Sequence, residues 1–240
     1  GGFCLMFLAE DEARYDDILK LFYHYKTLAN NLTMTKFTTL WESILFPKLT
    51  DNYYYPNIRY SEKWNKQYIE HYLIKETSPT ADWEINFNVN NIHALITNGD
   101  ILPEYRKFKS IKQYIFLWKP SSENNVIHPK RSGIAVQYFL NQTTLFLIDG
   151  NHRAIRSNTS WFYNFELCVL HEFDMTIRCF DSYVDFISYH WITSKQYLNQ
   201  LNNVEDAECF LQHLEAFLQE NQNNMSHGLL NPYAANERNF

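Results

Sequence analysis

The chain has 240 residues and a mass of 28.8 kDa, 45% hydrophobic and 17% aromatic, with a formal net charge of -6 at pH 7. Such a composition excludes intrinsic disorder and a collagen-like chain, and no apolar run reaches the ~18 residues of a membrane helix. A pI near 5.8 excludes coating of nucleic acid or an anionic membrane by bulk positive charge.

Four scattered cysteines, Cys4, Cys168, Cys179 and Cys209, form no C-x-x-C pair and read as buried thiols of a reducing compartment. The apolar opening from Gly1 to Ala9 lacks a basic region and runs at once into Glu10-Asp11-Glu12, unlike a secretory signal. The expectation is a cytoplasmic protein with no membrane partner.

From Asp11 to Leu28, the side chains Tyr15, Ile18, Phe22, Tyr25 and Leu28 recur at helical spacing, and a second helix is predicted from Thr35 to Phe46, ended by Pro47. A tyrosine-rich loop, 52–60, follows. Ser61 is a candidate N-cap for a third helix with Trp64, Tyr68 and Tyr72 on one face, ending at Thr77-Ser78-Pro79-Thr80. The period then changes to two: Glu84 to Asn90 alternates polar and apolar, as a half-buried strand does. Gly99-Asp100 marks a turn, and Pro103-Glu104 is predicted to open a short helix through about Phe116.

A polar loop from Pro120 to Pro129 leads to a predicted β-hairpin, Ile134–Phe139 and Thr144–Ile148, that ends at Asp149-Gly150. A short helix is expected over Ala154–Ser160, and a strand over Phe165–Leu170. Asp181–Leu201 and the spacing of Val204, Ala207, Leu211, Leu214 and Leu218 predict two further helices, before an Asn- and Gln-rich final twenty residues that read as a tail. Residues 84–175 carry nine Lys/Arg against eight Asp/Glu, whereas the part beyond carries three against eight, so the middle segment is where anions could bind. There Arg106, Lys107, Lys109, Lys112, Lys119, Lys130 and Arg131 face only Glu104 and Glu123, a pattern that also fits a solvated surface.

The sharpest motif is Asp149-Gly150-Asn151-His152-Arg153, where an apolar strand meets a glycine, three hydrogen-bonding side chains and a helix start. Glycine permits a tight turn, and the exposed N–H groups of a new helix favour an anion. Arg153 offers a planar fork for phosphate oxygens, and His152 can donate a hydrogen bond or move a proton. Asp149 suits a divalent cation, a ribose hydroxyl or a capping role. The same string is compatible with a capped strand-to-helix turn in which Asp149 binds backbone N–H groups and Arg153 forms an ion pair. His171, Cys179 and His190 lack the spacing of zinc ligands, and no metal site is assigned. Walker, nucleophile-elbow and zincin motifs are absent from the sequence.

This motif resembles the signature of the ParB/sulfiredoxin-like superfamily. Pro103 to Ile115 is similar to the family's helix before the signature, and Gly133-Ile134-Ala135-Val136 to the strand before its hairpin. The resemblance covers roughly residues 84–175. It implies an α+β fold: a mixed-sheet core (84–175) with a helical N-terminal extension (1–83), C-terminal helices (176–225) and a tail (226–240).

Sulfiredoxins carry a cysteine just before the His-Arg pair, where Asn151 stands here, so sulfiredoxin activity is excluded. Free-serine kinases of the superfamily look closer, with Asp-Gly-His-His-Arg and a catalytic glutamate after a proline, matched here by Pro103-Glu104. The resemblance implies Glu104 as general base, Asp149 and His152 as further catalytic residues, and Gly150, Asn151, His152 and Arg153 around the nucleotide phosphates. Arg106 and Lys107 would support them. Asn151 departs from the first histidine of that pattern. The implied partners are ATP, ADP or CTP with Mg2+ and a hydroxyl-bearing small molecule or macromolecule, the reaction being phosphoryl transfer or nucleotide hydrolysis. The alternative is a ParB-like nuclease or nucleotide-switched DNA-binding module, for which the acidic C-terminal helices make poor major-groove readers.

Overall fold

The computed structural model describes residues 17–45, 69–75, 82–108, 114–115, 132–137, 145–150 and 165–226. The chain divides into two compact units, Gly1–Ile58 with Ser194–Phe240, and Arg59–Thr193.

The first unit is helical in its described residues. Helix α1 runs through residues 17–28 and α2 spans Leu32–Leu45. Asn31 caps α2, its side-chain oxygen accepting the Met34 N–H at 2.9 Å and so satisfying one of the unpaired donors of a helix start. The predicted apolar stripe of α1 is buried at Ile18, Phe22 and Tyr25, and α2 buries Phe37, Trp41 and Ile44. Leu28, predicted on the same stripe, is exposed. To this unit also belong the end of α4 (Tyr183–Gln200) and helix α5 (Val204–Ser226). Ala207, Phe210, Leu211, Leu214, Phe217 and Leu218 form the buried face of α5, while Lys26 and Glu42 join α1 to α2 at 2.7 Å and Lys36 pairs with Glu208. Helix α5 continues through the first part of the predicted tail: the Asn221 amide donates to the Phe217 carbonyl at 2.8 Å.

The second unit combines helices with strands, which makes the chain α+β. Strand β1 (Ile69–Lys75) pairs antiparallel with β2 (Asp82–Asn88). The predicted third helix is therefore corrected over 69–75; its supposed N-cap Ser61 lies outside the described residues. The segment Ile-Glu-His-Tyr-Leu-Ile-Lys is rich in strand formers, and a partner strand overrides a four-residue aromatic spacing. Strand β2 stops at Asn88, whose side chain accepts the Asn91 N–H and opens α3 (Val89–Asn98), a helix the sequence pattern did not announce. Its C-cap is Gly99 at φ 79°, a left-handed conformation in which the glycine N–H reaches Ile96 and Leu95 carbonyls.

Five strands form the mixed sheet, in the order β3 (Glu104–Phe108), β7 (Phe165–His171), β5 (Gly133–Gln137), β6 (Leu145–Asp149) and β4 (Tyr114–Ile115). The predicted helix from Pro103 is corrected: proline suits a helix start, but Glu104–Phe108 pairs antiparallel with β7 as an edge strand. The predicted hairpin is present as antiparallel β5 and β6, and β5 runs parallel to β7. The two central strands are buried on both faces, from Ile134, Ala135 and Val136 to Leu167, Cys168, Val169 and Leu170.

After β7 the chain makes two short 3-10 turns, Glu172–Asp174 and Ile177–Cys179, and enters α4. Ser182 caps α4: the Asp185 N–H donates to its hydroxyl at 3.1 Å, and the hydroxyl donates back to the Asp185 carboxylate at 2.6 Å. That carboxylate also accepts the Asn86 N–H at 3.0 Å, which ties β2 to the helix start. Phe87, Phe180, Phe186 and Tyr189 meet edge-on or tilted, with ring centroids 5.3–5.7 Å apart. Among the described residues no helix is long and apolar enough to cross a membrane.

Candidate functional site

Strand β6 carries the start of the signature, and its register is irregular where the signature begins. Leu145, Phe146 and Leu147 pair in order with Gln137, Val136 and Ala135, but Ile134 pairs with Asp149, which leaves Ile148 as an extra residue. This β-bulge reverses the side-chain alternation, so Asp149 aligns with Ile134, Cys168 and Tyr105 across the sheet rather than with the row of Leu147. Gly150 follows at φ 96°, buried. A side chain is strained at that φ, so the backbone conformation itself calls for glycine. The described strand thus ends on a bulge followed by a glycine of positive φ. Asn151, His152 and Arg153 lie outside the described residues.

Asp149 meets a residue that sequence reasoning missed. His93, on α3, has its Nε2 3.2 Å from Asp149 Oδ2, and the two side chains are 19% and 18% exposed. Val89, Ile92 and Leu95 bury one face of α3, and His93 sits one position off that stripe. The available signal was a helix start at Asn88-Val89-Asn90-Asn91, hidden inside an alternating strand pattern. Even with it, a contact across 56 residues has no local signature.

The structure does not bring Glu104 to Asp149. Strand β3 is separated from β6 by β7 and β5, three strand spacings of about 4.8 Å, or roughly 14 Å between backbones. By register Glu104 aligns with Val169, Ala135 and Leu147, whereas Asp149 aligns with Tyr105, so the two carboxylates belong to opposite faces of the sheet. Glu104 is also engaged. The Arg106 guanidinium donates to it at 2.5 Å and to Gln137 Oε1 at 2.9 Å. That hydrogen bond, with the Arg106 charge and a smaller contribution from His171, holds the Glu104 carboxyl below the usual range. Both effects weaken it as a proton acceptor. Lys107, the other supporting cation, is exposed; Lys109, Lys112, Lys119, Lys130 and Arg131 lie outside the described residues.

The most strongly shifted titratable groups of the unit are core residues. His190 is 1% exposed, its Nε2 2.7 Å from the Met175 carbonyl, and burial holds it down to about 3, against the opposing effect of that carbonyl. Burial likewise pushes the Cys179 thiol up to about 12. Glu172, 1% exposed, has no hydrogen-bond partner for either carboxylate oxygen among the described residues. Burial pushes it up to about 8, with the Tyr189 hydroxyl nearby opposing the shift. It is therefore a neutral acid in the core at pH 7. His171 is exposed, and among the described residues no group of three His, Cys, Asp or Glu side chains could hold a metal ion.

No protein-family model, curated protein or solved structure matches the chain.

Proposed function

We propose that the second unit is a ParB/sulfiredoxin-like nucleotide-binding domain that transfers a terminal phosphoryl group to a hydroxyl acceptor, or to water. The observation that carries this reading is the strand end at Asp149-Gly150: a bulge that turns the acid out of the Leu147 row, followed by a glycine at φ 96°. In sequence the turn continues into Asn151-His152-Arg153, whose donors suit phosphate oxygens. Phosphoryl transfer asks the protein mainly to position the donor and neutralise its charge. In this reading backbone N–H groups after Gly150 and the Arg153 guanidinium hold phosphate oxygens, and His152 donates to them. Mg2+ would accompany the nucleotide, held by its phosphates and by water.

The test is a thermal shift of the full chain with ATP, ADP and CTP, each with and without Mg2+. A ligand at one hundred times its Kd adds about 2.7 kcal/mol, or roughly 5–10 °C for a unit of this size. Absence of a shift with all three nucleotides at millimolar concentration overturns the reading.

A further inference from the structure

Two histidines of the second unit make hydrogen bonds through Nε2, and their settings differ. His190 is sealed among Phe180, Phe186 and Tyr189, with Nε2 on a backbone carbonyl. His93 is partly open, and Nε2 is on a carboxylate. Its other ring nitrogen, Nδ1, has no hydrogen-bond partner among the described residues. In a neutral imidazole, a carboxylate on one ring nitrogen selects the tautomer in which Nε2 donates to Asp149 and Nδ1 presents its lone pair. That is the arrangement of an oriented general base, one residue from the glycine where the strand ends.

We infer that His93 is the general base of the Gly150 site and Asp149 its positioning residue; the inference rests on the phosphate-binding reading of that turn. The acceptor hydroxyl oxygen forms a bond to the terminal phosphorus of the nucleotide. The bond from that phosphorus to the bridging oxygen breaks, and its electron pair leaves with a nucleotide one phosphate shorter. The hydroxyl proton passes to His93 Nδ1 and from there to solvent. With water as acceptor the same step is hydrolysis. The reading moves the base from Glu104, engaged by Arg106 on the other face of the sheet, to a side chain in contact with the signature itself.

The experiment measures inorganic phosphate release from ATP, ADP and CTP with Mg2+ by the full chain, alongside the nucleotide thermal shift. His93→Gln and His93→Ala are expected to keep the shift and lose at least 100-fold in kcat, with KM within about threefold. Imidazole added to the buffer should restore His93→Ala at least tenfold and leave His93→Gln, whose site is filled, unchanged. Retention of turnover by both variants overturns the inference while the nucleotide reading stands. A loss that imidazole does not restore makes His93 a structural tether and also overturns it, as does a wild-type chain that binds nucleotide without releasing phosphate. No shift in the wild type removes the nucleotide reading and the base with it.

Discussion

Replacing Glu172 by glutamine should remove a pH dependence that the buried acid imposes on the fold. The folded carboxyl titrates at about 8 against an ordinary value of 4.5, so between those values the folded chain holds a proton that the unfolded chain has released. Stability then falls as pH rises, by about 1.4 kcal/mol per unit for one proton, and by about 4–5 kcal/mol at most over the whole interval. His190 acts with the opposite sign: its folded value of about 3 lies below 6.5, so the unfolded chain holds the extra proton and stability rises with pH across that window. Between about 4.5 and 6.5 the two slopes cancel. The wild type should be flat there and lose about 2 kcal/mol between pH 6.5 and 8. Above 8 the Lys195 ammonium, which burial holds down to about 8, begins to act in the other direction. In Glu172→Gln the fall above 6.5 disappears, and the curve between 4.5 and 6.5 rises with the His190 slope alone. Urea unfolding at pH 4.5–8.5, followed by tryptophan fluorescence, measures both; Trp191, fully buried in the same unit, is a reporter. A variant that still loses stability between 6.5 and 8 as the wild type does would refute the reasoning.

Three further outcomes follow from the same geometry. Gly150→Ala places a side chain at φ 96° and should cost about 1–2 kcal/mol in urea unfolding, and it should weaken nucleotide binding by more than this loss of folded protein explains. Phe180→Ala opens the cluster of Phe87, Phe186 and Tyr189 and should cost about 3–5 kcal/mol; a loss under 1 kcal/mol would contradict that packing. Glu104→Gln should leave phosphate release within threefold of wild type, since its carboxylate is tied to Arg106 on β3, three strand spacings from Asp149. A hundredfold loss would restore it as the base.

Elements with a long period were legible in the sequence. The stripes of α1 and α5, the helical spans of α2 and α4, the β5–β6 hairpin and strand β7 all follow spacing and turn residues read locally. Short segments were decided by partners instead. Tyr68 and Tyr72 fit a helical face, but 69–75 pairs with β2, and Pro103 suits a helix start although Glu104–Phe108 lies along β7. The candidate site divides the same way. Gly150 was marked by its type and its neighbours and has a positive φ, while the turn and short helix predicted after it lie outside the described residues. The bulge at Ile148 and the approach of His93 depend on pairing between distant segments, which no run of residues around Asp149 records.

The most direct measurement is equilibrium binding of ATP, ADP and CTP, each with Mg2+, to the wild-type chain and to Arg153→Ala. Saturable binding of at least one nucleotide by the wild type, weakened tenfold or more in the variant, is the predicted result. Absence of binding to the wild type, or equal binding by both proteins, would contradict a phosphate site at the Asp149-Gly150 turn.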